Sequence, residues 1–228
     1  MEAVLDNFDL VVRAFGYTLL LFVIAGVLSL LLGTVLAGMR VGPIGVLARA
    51  ASVYVTIVRN TPLLLVLLFF RIAGPKIGIR FDAVDMTIGE FRINNVFTAC
   101  AVGLTIYTAA FVCEAIRSGV NAVPLGQAEA ARAIGLPFGG VMREVVLPQA
   151  FRATVPPMAS VQIAMLKNTT VCGTVGVLEA FARMRSLTND YPTQRVGIFV
   201  CFAAVFVVLV FLVSFGASRL ERRWRVAS

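Results

Sequence analysis

The sequence has no histidine at all. That removes imidazole from every role: no His-based catalytic triad, no His metal site and no His pH switch. Cysteine is scarce. Cys100, Cys113, Cys172 and Cys201 form no C-x-x-C pair, and each lies in or beside an apolar run. They read as small buried hydrophobes rather than a disulfide framework. Charge is scarce too. Only 14% of the 228 residues are charged, against 59% hydrophobic, with a mean hydropathy of +0.92. A soluble domain of this length cannot hide that much apolar surface in one core, so the excess must face lipid or other membrane helices. The net charge is +8, but the basic residues are scattered. Scattered charge excludes a nucleic-acid patch and makes the sign a matter of membrane topology. The N-terminus (Glu2, Asp6, Asp9) lacks the basic start of a cleaved signal peptide, and the first apolar run is too long for one.

Stretches free of charge locate the spans, since a crossing helix needs about 20 mostly apolar residues. Ala14 to Met39, Ile93 to Cys113 and Val196 to Ser218 qualify cleanly. Ala50 to Phe70 is interrupted at Arg59, and Ala153 to Leu178 at Lys167. Counting both gives an all-α polytopic protein with about five transmembrane helices and termini on opposite sides. With the N-terminus outside, ten Lys and Arg fall on the cytoplasmic side and eight outside, a weak bias. The dense basic cluster RLERRWR near the C-terminus suits an anionic cytoplasmic leaflet. The polar connections near 74–92, 118–151 and 179–195 are too short for a second domain. Residues 10–220 therefore read as one transmembrane domain, including a loop at 125–150, followed by a basic tail at 221–228.

That central loop is EAARAIGLPFGGVMREVVLPQA, Glu129 to Ala150. Gln127 to Ile134 is rich in helix formers, and Ala128, Ala131 and Ile134 recur at three-residue spacing, giving one small apolar side. Gly135 offers a cap and Pro137 prevents continuation. A second short helix, FGGVMREVVL, is expected to stop at Pro148. Two such helices are marginal alone and need something to pack on. A lipid surface is one candidate. The alanine face binds bilayers poorly, however, and a bent small-residue helix better fits a groove on another protein.

The loop resembles the signature of ABC importer permeases: E-A-A, three residues, G, nine residues, I, one residue, L-P. Here it reads Glu129-Ala130-Ala131, Gly135, Val145 where isoleucine is usual, and Leu147-Pro148. SGVNAVPLGQAEAARAIGL, VVLPQAFRATVPP and VRNTPLLL at Val58 to Leu65 look like the polar amino-acid branch of that family, and with KNTT most resemble its glutamate permeases. The likeness covers roughly residues 14 to 220. It implies a bacterial inner-membrane subunit with the N-terminus outside and the C-terminus cytoplasmic. It also implies a loop that couples, through Glu129, Ala130, Ala131, Gly135, Leu147 and Pro148, to an ATPase subunit dimer. The chain has no G-x-x-x-x-G-K-[ST] phosphate loop, so it binds no cofactor of its own, and ATP and magnesium belong to the partner. A second permease subunit and an external amino-acid-binding protein complete the expected assembly, the latter docking on the loops around Ile77 to Glu90 and Glu179 to Gln194.

Both interrupted spans carry similar chemistry: Arg59-Asn60-Thr61-Pro62 and Lys167-Asn168-Thr169-Thr170. Asn and Thr can cap a new helix start, and Pro62 suits a first turn. Paired breaks point to a transport pathway, because non-helical backbone is tolerated only inside protein or along a watery cavity. Snorkelling of Arg59 to the interface is the alternative. The pathway candidates are Arg59, Asn60, Thr61, Gln162, Lys167, Asn168 and Thr169. No acidic residue occurs from Val145 to Leu178, so such a lining favours glutamate or glutamine over a cationic amino acid. Two other functions compete: an ATP-independent carrier or channel, for which Glu114 is the lone acidic group near a span, and a purely structural assembly protein.

Overall fold

Small residues decide which helix sits at the centre. The computed structural model describes the backbone of residues 2–224 and the side chains of 2–219. Its elements run α1 (Glu2–Asp6), α2 (Phe8–Val41), α3 (Gly45–Arg59), α4 (Leu63–Leu68), a π-helical turn Phe69–Ala73, α5 (Gly74–Lys76), β1 (Met86–Ile88), β2 (Phe91–Ile93), α6 (Asn95–Asn121), α7 (Leu125–Ala133), α8 (Phe138–Gly140), a π-helical stretch Val141–Val146, α9 (Leu147–Asn168), a 3-10 stretch Thr169–Thr174, α10 (Ala180–Asp190), a short 3-10 turn Pro192–Gln194 and α11 (Arg195–Trp224). Within its apolar window α6 is 67% buried, α2 33% and α11 only 11%, so α6 is the axis of the bundle and α11 its periphery. Ala99, Gly103, Ala109, Ala110, Cys113 and Gly119 of α6 let neighbouring backbones approach on several sides. In lipid such close van der Waals packing, rather than hydrophobic transfer, holds helices together.

Among the described residues three helices, α2, α6 and α11, are long and apolar enough to cross a membrane. α3 and the segment from Leu63 to Lys76 are long and apolar enough for a crossing only when taken together, and they are bent by 104° at the break between them. The fifth expected span is displaced. α9 starts at Leu147, six residues earlier than expected, and ends at Asn168, where the Lys167 interruption lies. Arg152, Gln162 and the internal Pro156 and Pro157 make it less apolar than the others.

The contacts fix the direction of each traverse. Tyr17 meets Phe91 and Phe97 at one end of α2, Gly33 lies against Val112, and Arg40 pairs with Glu114 at the other end. α2 and α6 are therefore parallel. α9 is antiparallel to α6, because its Ala150 and Thr154 lie against Gly119 and the turn after it carries Cys172 into the core around Cys100. Phe15 stacks on Phe202 with ring centroids 5.4 Å apart, so α11 again runs with α2. Among the described residues the chain thus begins and ends at opposite faces. Helix α11 carries on through Trp224, so the expected tail at 221–228 begins as a continuation of this helix; residues 225–228 lie outside the described residues.

Candidate coupling loop and transport pathway

The loop is mounted rigidly on the ends of α6 and α9. After α7 the chain reverses at Gly135, whose φ of +88° is the left-handed conformation that costs a side chain strain. Leu136 N–H donates to the Ala131 carbonyl at 3.1 Å and Gly135 N–H to Arg132 at 2.9 Å, the paired bonds of a glycine C-cap. Val123, Ala131, Val141, Val146 and Ala150 form a small core of their own, with Ala128 and Leu136 against it. Gln149 donates to Gln127, tying the start of α9 to α7.

Two expectations need correction. The second helix does not stop at Pro148. Pro148 lacks an N–H and leaves the Glu144 carbonyl without its usual partner; the backbone widens into π-helical turns and continues as α9. Pro75 follows the π-helical turn Phe69–Ala73 in the same way. Nor does Ile134 join the packed face. The glycine turn swings Leu136 inward instead, leaving Ile134 80% exposed, alongside Leu125 at 79% and Phe138 at 52%. Glu129 and Ala130 are exposed on the same loop, and Glu129 has no ion-pair partner among the described residues. Ala131 and Gly135 set the loop's shape, while Leu147 and Pro148 lie at the root of α9. The exposed apolar trio escaped sequence reasoning because periodicity cannot show where a left-handed turn breaks the phase.

Arg59, Asn60 and Thr61 lie at the same end of the bundle core as Glu114. Arg59 sits 3.6 Å from the Glu114 carboxylate and stacks over the Phe111 ring at 5.6 Å. Arg40 and Arg117 pair with the same Glu114. Asn60 Nδ2 and Thr61 Oγ1 donate to the carbonyls of Thr56 and Ile57, each at 2.8 Å. They close the helix that ends rather than cap the one that begins, and Pro62 is the residue just before α4, not part of its first turn. At the other break Thr169 Oγ1 and Thr170 Oγ1 bond back to Leu166 and Lys167 carbonyls, each at 2.7 Å. Thr169 is buried, Asn168 half-buried and Lys167 exposed.

The seven pathway candidates do not converge on one cavity. Gln162 lines an apolar cavity of about 800 Å³ between α2, α6, α9 and α11, where its buried Nε2 has no hydrogen-bond partner. Lys167 lines a separate groove of about 520 Å³ between α9 and α11. What meets is the backbone beyond each break: Leu63 and Leu67 of α4 share a core with Cys172 of the 3-10 stretch.

The opposite end gathers the other two connections. The β1–β2 hairpin rests on α2 through Phe91, and Arg13 donates to the Glu90 carbonyl. Asp85 takes a bidentate bond from Arg92, which lowers its pKa. Glu179 is fully buried and caps α10, its carboxylate accepting from Phe181 N–H at 2.8 Å and Ala182 N–H at 2.9 Å. Burial pushes its pKa up to about 7 against the pull of those bonds and of Thr18. Sequence reasoning took Glu179 only as the edge of a loop; its position one residue before a helix start was the available signal. No group of three or more His, Cys, Asp or Glu among the described residues could hold a metal ion.

A bundle of apolar traverses, broken at two polar steps and bearing a rigid bent loop at one end, defines a polytopic transport permease. The chain belongs to the family described as the binding-protein-dependent transport system inner membrane component, which it matches over residues 29–226. It is 37% identical over 214 residues to the glutamate transport system permease protein GluC of Corynebacterium efficiens, covering 93% of each chain. It is 34% identical over 218 residues to the probable glutamine ABC transporter permease protein GlnM of Bacillus subtilis, covering 96% of this chain and 94% of that one. Its fold superposes with a TM-score of 0.82 and 29% identity on a chain of the crystal structure of an amino acid ABC transporter with histidines, covering 96% of both. The chain is thus a permease subunit of an ABC importer.

Proposed function

We propose that this subunit imports an acidic amino acid or its amide, with glutamate the first choice and glutamine the second. The observation that carries the reading is chemical. The polar groups of α9 and the turn after it are amide, hydroxyl, guanidinium and ammonium, with no carboxylate. The GluC and GlnM relatives, named for glutamate and glutamine, agree with that lining. Gln162, whose buried Nε2 is unpartnered, is the strongest pathway residue. Lys167, Asn168 and Thr169 adjoin it along the chain, whereas Arg59, Asn60 and Thr61 serve the bend.

Glu129, Ala130, Ala131 and Gly135 form the handle that an ATPase subunit grips, with Leu147 and Pro148 transmitting its motion into α9. The loop end is the cytoplasmic one, the hairpin end faces outward, and the N-terminus is outside. A single permease domain, residues 10–220 with its loop at 125–150, works with a second permease subunit, an ATPase dimer and an external binding protein. ATP and magnesium act in the ATPase. Affinity copurification identified by mass spectrometry tests the assembly. Glu129→Lys and Gly135→Val are expected to leave the protein in the membrane while cutting ATP-driven uptake about tenfold or more; normal uptake by both would sink the handle. Preferential uptake of lysine or arginine in competition assays would sink the substrate.

A further inference from the structure

At the outward end, α2, the hairpin, the start of α6 and the backbone of 176–178 enclose a pocket of about 400 Å³. Arg13, Arg92 and Arg183 line it, with Tyr17 and Asn94. Asp85 neutralises Arg92 through its two bonds at 2.9 and 2.7 Å. Arg13 spends one N–H on the Glu90 carbonyl, an uncharged acceptor, so its charge stays uncompensated. Arg183 is half-buried and has no side-chain partner among the described residues. Asn94 Oδ1 accepts from Phe97 N–H at 3.0 Å, so the 27-residue α6 also starts at this pocket and adds its positive dipole end. Tyr17 accepts the Arg92 N–H at 3.0 Å and keeps its own hydroxyl proton to donate. Two guanidinium groups without a carboxylate partner, Arg183 half-buried and Arg13 exposed at the mouth, give the half-enclosed pocket a positive field that favours an anion. The volume suits a free amino acid.

We propose that this pocket is an anion-receiving vestibule, which takes the side-chain carboxylate of a dicarboxylic amino acid as it leaves the binding protein and before it enters the membrane. Arg183 and Arg13 are its binding residues, with the Tyr17 hydroxyl and the Asn94 amide beside them. The proposal rests on the acidic-substrate reading above. It places charge selection at the rim, outside the apolar cavity at Gln162.

Leu178 lines the pocket and is 66% exposed, so a thiol there reports its potential. The test uses the whole transporter in nanodiscs with Leu178→Cys, labelled by anionic and cationic thiosulfonates and read by peptide mass spectrometry. Cys100, Cys113 and Cys172 are buried and Cys201 is half-buried, so background labelling is low. The anionic reagent should react about tenfold faster than the cationic one, relative to free cysteine. Millimolar L-glutamate should slow labelling, L-glutamine less so, and L-lysine not at all. Arg183→Gln should abolish both the charge preference and the protection. Equal rates for the two reagents, or protection by lysine equal to that by glutamate, overturn the proposal. So does protection by amino-acid-free binding protein where glutamate alone gives none, which would assign the pocket to an acidic side chain of that partner. Glutamate uptake is measured in parallel. Uptake without protection sinks the vestibule alone, whereas protection without uptake sinks the substrate reading and leaves the anion site standing.

Discussion

At the scale of single residues, two carboxylates set the outcome at the two ends of the molecule. Glu179 is buried with its pKa raised to about 7, above the ordinary value of 4.5. Between those two values the folded chain holds a proton that the unfolded chain has released, so stability falls as pH rises through that window and is flat beyond it. Thermal unfolding of the purified wild type should therefore show a midpoint that drops from pH 5 to pH 7.5. Glu179→Gln should flatten that slope, and an unchanged slope in the variant would remove Glu179 as its source. Glu114 gathers Arg40, Arg59 and Arg117 at the loop end. Glu114→Gln leaves three guanidinium groups facing one another and should cost on the order of 2 kcal/mol, whereas Arg117→Gln, 39% exposed and 4.0 Å away, should cost about 0.5 kcal/mol or less. Denaturation of both variants in one detergent checks the order.

At the scale of elements, the tightest joint is between α6 and α9. A Cβ at Gly119 would collide with Thr154 Oγ1 and with the Ala150 carbonyl. One obstacle is a side chain and the other is backbone, so trimming Thr154 relieves only part of the clash. Gly119→Leu should lower the yield of folded protein by about 2 kcal/mol of overpacking, and adding Thr154→Ala should recover part of it. Full recovery, or no loss at all, would show that α9 slides freely on α6. This joint matters because α9 continues without a stop from the exposed loop. The π-helical stretch before Pro148 keeps the rod intact from Phe138 to Asn168, so the second half of the loop and Gln162 lie on one continuous helix.

At the scale of the whole molecule, the contacts put the hairpin and α10 at one end and the bent loop at the other. With the loop cytoplasmic, a thiol at Thr87→Cys should react with a membrane-impermeant reagent in intact cells, and one at Ala130→Cys only after lysis. The reverse pattern would invert the orientation. The periphery formed by α11 is 89% unburied within its apolar window and is free to face lipid or a second permease.

Much of this was legible in the sequence, and the reasons differ by feature. The apolar runs, the absent phosphate loop, the Lys167 break and the Gly135 turn are written in composition and in residues whose backbone chemistry is local, so sequence alone determined a polytopic helical permease with a bent polar loop between its spans. Where α9 begins and ends, the direction in which Ile134 points and the service of Asn60 and Thr61 to the outgoing helix depend on what the next turn does, and local rules do not fix that. The convergence of Arg40 and Arg59 on Glu114, and of Arg13, Arg92 and Arg183 on one pocket, joins residues separated by tens to well over a hundred positions. Only the parallel packing of α2 on α6 and the return of α10 over them decided those meetings, because charge spacing along a chain carries no information about which helix ends share a face of the membrane.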